Sequence, residues 1–285
     1  MNQPELLLCT DLDRTLLPNG TQPESPQARR LFSRLAFNPA ISVVYVSGRH
    51  RRLIERAINN YKLPPPDFVI SDVGTNIYDL REDVWRIWPQ WQKEIALDWN
   101  GYQQRQLSEI LRDISALRLQ QLRQQNTFKL SYYVALHINQ AALQHTLMER
   151  FRELGIEASL VWSMDEPAGV GLLDILPKRA TKLHAIEFLQ SNLGVATAAT
   201  LFAGDSSNDL PVLASQIPSV LVANASPTVA EKALAAATAA GNQEYLYIAR
   251  GDYLKMNGNY SAGILEGIAH FHPELTSMFS MQASG

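Results

Sequence analysis

Short, unbroken apolar runs alternate with helical segments at the start of the chain, and this alternation constrains the fold more than any other feature. Residues 6–10, 41–46 and 68–71 are runs of the kind that form strands buried on both faces. Residues 26–37 and 50–61, which lie between them, carry apolar side chains at the spacing of one helix face. Strands and helices that alternate at this rhythm predict right-handed crossovers and a parallel sheet.

The pattern changes after about residue 79. All five tryptophans fall between there and residue 165, and a Gln- and Arg-rich helix is predicted at 102–124. A strand at 129–137, a helix at 140–154 and a strand at 157–164 follow. These elements are typical of a separate α/β unit.

The strand–helix pattern of the first part returns beyond Gly171. Its predicted elements are a strand at 172–176, a helix at 181–193, strands at 200–203 and 219–222, and an alanine-rich helix from Pro227. The sequence therefore predicts an α/β fold. In it, residues 1–80 and 171–285 build a core around a doubly wound parallel sheet, and residues 81–170 form an inserted α/β cap.

The composition restricts the partners and the location of the chain. The 285 residues carry a formal net charge of −3 and no Lys/Arg-rich run, which argues against nucleic acid as a partner. No apolar stretch approaches the roughly 20 residues that span a bilayer, and the first residues lack the pattern of a signal peptide. Cys9 can form no internal disulfide and is expected to pack inside the first strand. We expect a cytoplasmic protein without a membrane partner.

Acidic and amide side chains follow several predicted strands. Asp11 and Asp13 come directly after the first strand, and alternate residues of an extended segment point the same way, so both carboxylates can face one site. Residues 47–49 (SGR) follow the second strand, and residues 204–209 (GDSSND) follow a later one. Because open parallel sheets bind ligands at this edge, and paired carboxylates suit Mg²⁺, the sequence predicts a magnesium site there.

Four segments together resemble the four motifs of the haloacid dehalogenase (HAD) superfamily of phosphatases. They are residues 11–15 (DLDRT), residues 47–49 (SGR), Lys182 and residues 204–209 (GDSSND). The insertion between the second and third motifs resembles the Cof-type subfamily (IIB), whose α/β cap closes over the substrate. Within that subfamily, residues 72–78 (DVGTNIY), 129–133 (KLSYY) and 260–267 (YSAGILEG) are similar to sucrose-phosphate phosphatases and their close relatives.

The resemblance also implies a set of site residues. The implied catalytic residues are Asp11, Asp13, Ser47 and Lys182. The implied Mg²⁺ ligands are Asp11, Asp13 through its backbone carbonyl, Asp205 and Asp209. The implied substrate-binding residues are Thr15, Ser47, Gly48, Arg49, Asn76, Lys129, Lys182 and Asn208. Two positions depart from the family pattern: Arg14 stands where Asn or Gly is usual, and Leu183 replaces a common glycine.

The implied chemistry is phosphoryl transfer through a covalent intermediate. Asp11 attacks phosphorus and forms an aspartyl-phosphate, while Asp13 protonates the departing sugar oxygen and later activates water. Ser47 and Lys182 hold the phosphoryl oxygens. The expected substrate is a phosphosugar, sucrose 6-phosphate first, and the enzyme is expected to be a monomer that could associate with a sugar-phosphate synthase.

Three alternatives stay open at the level of sequence. The first is a HAD phosphatase for another phosphorylated disaccharide or glycoside, such as a mannosylfructose phosphate. The second is a receiver-like signalling domain, which also phosphorylates an Asp on a doubly wound sheet, although it has no use for a second acid at Asp13 or for a cap. The third is a catalytically silent carbohydrate-binding relative, which would be natural only if one of the motif acids were missing.

Overall fold

The computed structural model of the protein describes residues 4–165 and 168–279. The strands are β1 (Leu6–Asp11), β2 (Ile41–Val46), β3 (Phe68–Ser71), β4 (Asn76–Asp79), β5 (Arg86–Ile87), β6 (Arg118–Leu119), β7 (Leu130–Val134), β8 (Ala158–Asp165), β9 (Val170–Pro177), β10 (Thr200–Gly204), β11 (Ser219–Leu221) and β12 (Leu246–Ile248). The helices are α1 (Ala28–Ala36), α2 (Arg51–Tyr61), α3 (Pro89–Ala96), α4 (Gln104–Ile110), α5 (Gln140–Glu153), α6 (Lys182–Leu193), α7 (Leu210–Leu213), α8 (Pro227–Ala239) and α9 (Ser261–Phe271).

The larger sheet has eight strands in the order β12-β11-β10-β1-β2-β3-β4-β5. From β12 to β3 every neighbouring pair is parallel, and β4 and β5 add an antiparallel edge. This confirms the predicted parallel sheet. Its central strands β1, β2 and β10 therefore end side by side at one edge, which is where the polar motifs follow them.

Helices cover both faces of this sheet, as a doubly wound fold requires. All six residues of β1 are buried. Leu6 and Leu8 belong to an apolar cluster that includes the inner sides of α1 and α9. Leu7 and Cys9 belong to a second cluster that includes the inner sides of α6 and α7. The prediction that Cys9 packs inside the first strand is confirmed, and burial raises the pKa of its thiol.

The smaller sheet has four strands in the order β6-β7-β9-β8, and all of its pairs are antiparallel. The prediction that residues 172–176 rejoin the parallel sheet is wrong, because β9 pairs with β7 and β8. A run such as LLDIL predicts a strand but does not specify its partner, which only tertiary pairing decides. The division at residues 80 and 171 stays a prediction, and the end of β9 at Pro177 favours a later second boundary.

The long helix predicted at 102–124 is also wrong. Within that range only α4 is α-helical, and the chain then turns into the short strand β6. Arg150 donates to the carbonyl of Ile110 at 2.8 Å, which satisfies one carbonyl at the end of α4. Gln120 then pairs with β7 through its backbone N–H and its side-chain amide. The apolar spacing continues past Ile110, but pairing with β7 overrides the helical preference.

The other predicted helices and strands lie within a few residues of their expected positions. The elements that were not predicted are β4, β5, β6, β12, α3, α7 and α9. Among the described residues, no helix is long and apolar enough to span a membrane.

Candidate active site

A buried lysine holds three oxygen ligands together at the carboxyl edge of the large sheet. Lys182 is the first residue of α6, and its Nζ lies 3.0 Å from Asp11 Oδ1 at the end of β1. The same Nζ lies 2.7 Å from Asp209 Oδ1 and 3.1 Å from Asn208 Oδ1, in the loop after β10. The three N–H donors of the ammonium thus meet three oxygens, as a buried charge requires.

Two carboxyl groups at this edge have raised pKa values because they are buried near other charged groups. Burial raises the pKa of Asp11 to about 7, against the opposing charge of Lys182 and with the added repulsion of Asp209. Burial and the charge of Asp209 also raise the pKa of Asp205 to about 6. Burial alone would lower the pKa of Lys182, but the two carboxylates outweigh it and raise that pKa. The site therefore favours further positive charge.

Asp209 shapes the loop in which it lies. Its Oδ1 accepts from Lys182, and its Oδ2 accepts from the backbone N–H groups of Asp205 and Ser206, each at 3.1 Å, and from the Ser206 hydroxyl at 3.0 Å. A Cβ on Gly204 would lie 2.7 Å from the Asp209 carboxylate, so only glycine leaves it room. Both Asp209 oxygens are engaged by protein donors, which favours a positioning role over direct contact with a metal.

The donor set at this edge fits a magnesium ion. Oxygen atoms of the buried acids Asp11, Asp205 and Asp209 lie within 4.8 Å of one another. Thr15 donates to Asp205 Oδ1 at 3.1 Å, and the bond from Lys182 to Asp11 also uses Oδ1. Asp11 and Asp205 could hold Mg²⁺ through their other oxygens, a set of hard ligands that suits this ion. We refer to five residues at this edge as the strand-end cluster: Asp11, Lys182, Asp205, Asn208 and Asp209.

The second acid of the first motif has a different partner. Asp13 accepts from Arg49 Nε at 2.7 Å and from Arg49 Nη2 at 2.6 Å, and Asn19 adds a bond of 2.6 Å. The Asp13 side chain is 41% exposed, whereas the acids of the strand-end cluster are buried. Ser47 is buried, and its Oγ accepts from the Arg49 N–H at 3.2 Å. The side chain of Asp13 thus lies outside the group of potential metal ligands, and the role of its backbone carbonyl stays a prediction.

A second polar group lies where the two sheets meet. Lys129, just before β7, places its Nζ 3.7 Å from Asp72 Oδ1 and 3.4 Å from Asp174 Oδ2. Asn76 donates to Asp72 at 3.3 Å, and Ser131 donates to Asp174 at 2.5 Å. We refer to these five residues as the junction cluster. Ser131 and Asp174 are paired across β7 and β9, so the smaller sheet contributes one carboxylate and the larger sheet the other.

Backbone hydrogen bonds connect the junction cluster to the second motif. The Asp72 N–H donates to the Arg49 carbonyl at 3.0 Å, and the Val73 N–H donates to the Ser47 carbonyl at 3.2 Å. A Cβ on Gly48 would come 3.8 Å from Val73, so the two loops are in contact there. The junction cluster is therefore adjacent to the residues expected to hold the phosphoryl group.

The structure divides the predicted site residues among three places. At the ends of β1 and β10 it brings together Asp11, Thr15, Lys182, Asp205, Asn208 and Asp209. At the second motif, which also contains Ser47 and Gly48, it pairs Asp13 with Arg49. At the sheet junction it places Asn76 and Lys129 near Asp72. Sequence analysis did not predict that Asn19 contacts Asp13, or that Asp72 and Asp174 pair with Lys129. An acid inside the apolar run LLDIL was the available signal for Asp174.

Comparison with known proteins identifies the family. The profile of sucrose-6F-phosphate phosphohydrolases matches residues 4–272. The chain belongs to this family. Its members are phosphatases of the HAD superfamily, so the chain is an enzyme. The alternative of a receiver-like signalling domain is therefore excluded. The chain is 52% identical to a HAD-like hydrolase of Nitrosococcus oceani, over 95% of this chain and 72% of the relative.

Two further comparisons concern relatives whose names state a substrate. The chain is 26% identical to mannosylfructose-phosphate phosphatase of Agrobacterium fabrum, over 94% of this chain and 98% of the relative. It is also 26% identical to the sucrose-phosphatase of Synechocystis, whose crystal structure contains sucrose and phosphate, with a TM-score of 0.71 over 94% of this chain and 98% of that one. Because the two sequence identities are equal, they do not indicate whether sucrose phosphate or mannosylfructose phosphate is the substrate of this chain.

Proposed function

We propose that this member of the family is a Mg²⁺-dependent phosphatase that hydrolyses sucrose 6-phosphate through an aspartyl-phosphate on Asp11. The observation that carries the proposal is the strand-end cluster, in which a buried carboxylate lies 3.0 Å from a buried lysine and close to a second acid. Family membership supports the phosphatase chemistry. The name of the matched family favours sucrose 6-phosphate over the alternative, a mannosylfructose phosphate.

The first half-reaction forms the covalent intermediate. An Asp11 oxygen attacks phosphorus, the bond between phosphorus and the sugar oxygen breaks, and Asp13 gives its proton to that oxygen. Ser47 and the positive charge of Lys182 stabilise the phosphoryl oxygens while charge shifts among them. The chemistry that Mg²⁺ supplies, when held by Asp11 and Asp205, is positive charge against the repulsion between a carboxylate and a phosphate dianion.

The second half-reaction returns the enzyme to its starting state. The Asp13 carboxylate takes a proton from water, the water oxygen attacks phosphorus, and the bond to Asp11 breaks to release phosphate. Two guanidinium bonds from Arg49 fix the orientation of the Asp13 side chain for this step. We therefore assign Arg49 to the positioning of Asp13 rather than to the phosphate. Proton donation in the first half requires Arg49 to release one oxygen.

The junction cluster is the proposed reader of the sugar. Lys129 lies 3.4 Å from Asp174 and 3.7 Å from Asp72, the second distance being too long for a direct hydrogen bond, and the cluster adjoins the second motif. Sugar hydroxyls are donors and acceptors that can pair with such carboxylates, amides and ammonium groups. We propose that the inserted cap predicted at 81–170 determines which sugar is bound. Asp174 lies just beyond that range in the same small sheet, and we include it in this role.

Phosphate release across a panel of substrates tests the proposal. Sucrose 6-phosphate, a mannosylfructose phosphate, glucose 6-phosphate and fructose 6-phosphate are compared at equal Mg²⁺. We expect the highest kcat/KM with sucrose 6-phosphate, loss of turnover with a chelator, and return with Mg²⁺ but not with Ca²⁺. Full turnover in chelator would exclude the metal, and a preference for a hexose monophosphate would exclude the disaccharide.

The cytoplasmic location, the monomeric state and an association with a sugar-phosphate synthase stay predictions. Light scattering of the purified protein tests the monomer, and co-purification with the synthase of the same cell tests the association.

A further inference from the structure

The loop after β1 holds Arg14 in an unusual backbone conformation. Its φ is +59°, a region that few residues other than Gly, Asn and Asp adopt. Two side chains fix that conformation: the Arg14 N–H donates to Asn19 Oδ1 at 2.8 Å, and the Arg14 carbonyl accepts from Asn224 Nδ2 at 2.6 Å. The direction of the Arg14 side chain is therefore set by a backbone held from both sides.

That side chain points to one of the potential metal ligands. Arg14 Nε lies 3.5 Å from Asp205 Oδ2, and its Nη2 donates to the Asn224 carbonyl at 3.5 Å. The other oxygen of Asp205 is already bonded to Thr15. The Asp205 side chain is 4% exposed and that of Arg14 is 47% exposed, so the guanidinium covers the acid from the solvent side. Arg14 thus lies against the Asp205 oxygen that remains for a metal.

The other acids of the site have their own cations. Lys182 forms ion pairs with Asp11 and Asp209, and Arg49 forms one with Asp13. Arg14 completes this pattern as the counter-ion of Asp205. We propose that Arg14 is a positioning residue that weakens divalent-cation binding, because its charge pairs with Asp205 in the metal-free protein and repels a cation bound to the same carboxylate. The inference rests on the proposed metal-dependent function.

The repulsion has a predictable size and salt dependence. Two like charges a few ångströms apart, one of them half exposed, change an equilibrium by about three- to tenfold. Added salt screens an exposed charge at this distance, so the effect must shrink as ionic strength rises. A change that arose from backbone strain alone would not depend on salt.

Calorimetric titration with MgCl₂, in the absence of substrate, tests the inference on the full chain. Arg14→Gln removes the charge and keeps a long side chain, Arg14→Asn also suits the positive φ, and Arg14→Lys keeps the charge. Arg29→Asn, on α1 and paired with Glu24, is the control for net charge. We expect the Kd for Mg²⁺ to fall about three- to tenfold in Arg14→Gln and Arg14→Asn, and to stay within about twofold in Arg14→Lys and Arg29→Asn.

The outcomes separate this inference from the proposed function. If the unaltered protein binds no Mg²⁺, the metal-dependent function fails and the inference fails with it. If the protein binds Mg²⁺ but Arg14→Gln has the affinity of the Arg29→Asn control, or binds more weakly, only the inference is overturned. A gain that persists unchanged in high salt, or a rise in KM for phenyl phosphate at an unchanged Kd for Mg²⁺, also overturns it, the latter in favour of a contact with the phosphate.

Discussion

The strand-end cluster and the junction cluster differ in how tightly the protein holds them. At the strand ends, Lys182 lies 2.7 to 3.1 Å from its three oxygen partners. At the junction, Lys129 lies 3.4 and 3.7 Å from its two carboxylates. The first group lies at the ends of two adjacent parallel strands and the start of α6, and the second bridges two sheets. This difference is the one we expect if the strand-end cluster carries the proposed reaction and the junction cluster contacts the sugar.

The backbone at the junction, unlike the side chains there, is held tightly. Asp72 and Val73 have φ values of +50° and +62°, and a β-branched residue seldom adopts such a conformation. Gly74, with φ +101°, packs so closely that a Cβ would lie 2.7 Å from the carbonyl of Thr181, the residue before Lys182. Strain of this kind persists only when the surrounding contacts enforce it. The hairpin that carries Asp72 is therefore held against the start of α6.

The largest expected effect is at the strand ends. Asp11→Asn should abolish both phosphate release and phosphoenzyme formation with every substrate, because an amide cannot serve as the nucleophile. Rapid-quench trapping of labelled phosphate measures both. Asp83→Asn, an exposed residue outside both clusters, is the matched control and should retain full turnover. Residual turnover in Asp11→Asn would assign the nucleophile elsewhere.

The next effect separates the two acids of the first motif. Asp13→Asn should lower turnover of the sugar phosphate by about 10² to 10⁴, the usual contribution of positioned proton transfer. An aryl phosphate has a better leaving group, so with that substrate the variant should still form phosphoenzyme, and this should accumulate because no base activates water. Mass spectrometry should locate the phosphate on Asp11, and label on Asp13 would reverse the assigned roles.

The third prediction concerns protons and metal at the strand ends. The pKa values of Asp11 and Asp205 are raised to about 7 and about 6, so both acids are ionised at pH 8 and largely protonated at pH 5.5. A protonated carboxyl is a poor ligand, so the Kd for Mg²⁺ should rise by about tenfold or more as the pH falls through this window. Titration calorimetry at several pH values measures it, and a constant Kd would contradict the buried-acid site.

The smallest expected effect is at the junction and should depend on the substrate. Lys129→Met and Asp174→Asn should each lower kcat/KM for the sugar phosphate by about tenfold, the effect of one or two lost polar contacts. The value for p-nitrophenyl phosphate, which has no sugar hydroxyls, should stay within about twofold. Equal losses with both substrates would mean that the junction supports the catalytic groups and does not read the sugar.

Local features of the chain predicted much of the fold and the identity of many site residues. Unbroken apolar runs require buried strands, and a strand of a parallel sheet ends at the edge that its neighbours share. Asp11 and the loop that carries Asp205 could thus be located without coordinates. The helices α1 and α2 also followed from apolar spacing, because burial of one helix face is a local requirement, and the alanine-rich composition predicted α8.

Tertiary structure decided which groups meet. Asp11 and Lys182 are 171 residues apart, and no local pattern specifies a contact over that separation. The same is true of the pair Asp13 and Arg49, and of β9, whose apolar run suits either sheet equally. Asp209 could be identified as an acid near a potential metal site, but the donors that occupy both of its oxygens became visible only in the folded loop. Burial and hydrophobic periodicity leave a local pattern in the sequence, so they predict which residue types form a strand or a helix. Contacts between residues distant in sequence depend on how the whole chain folds, so only the tertiary structure specifies them.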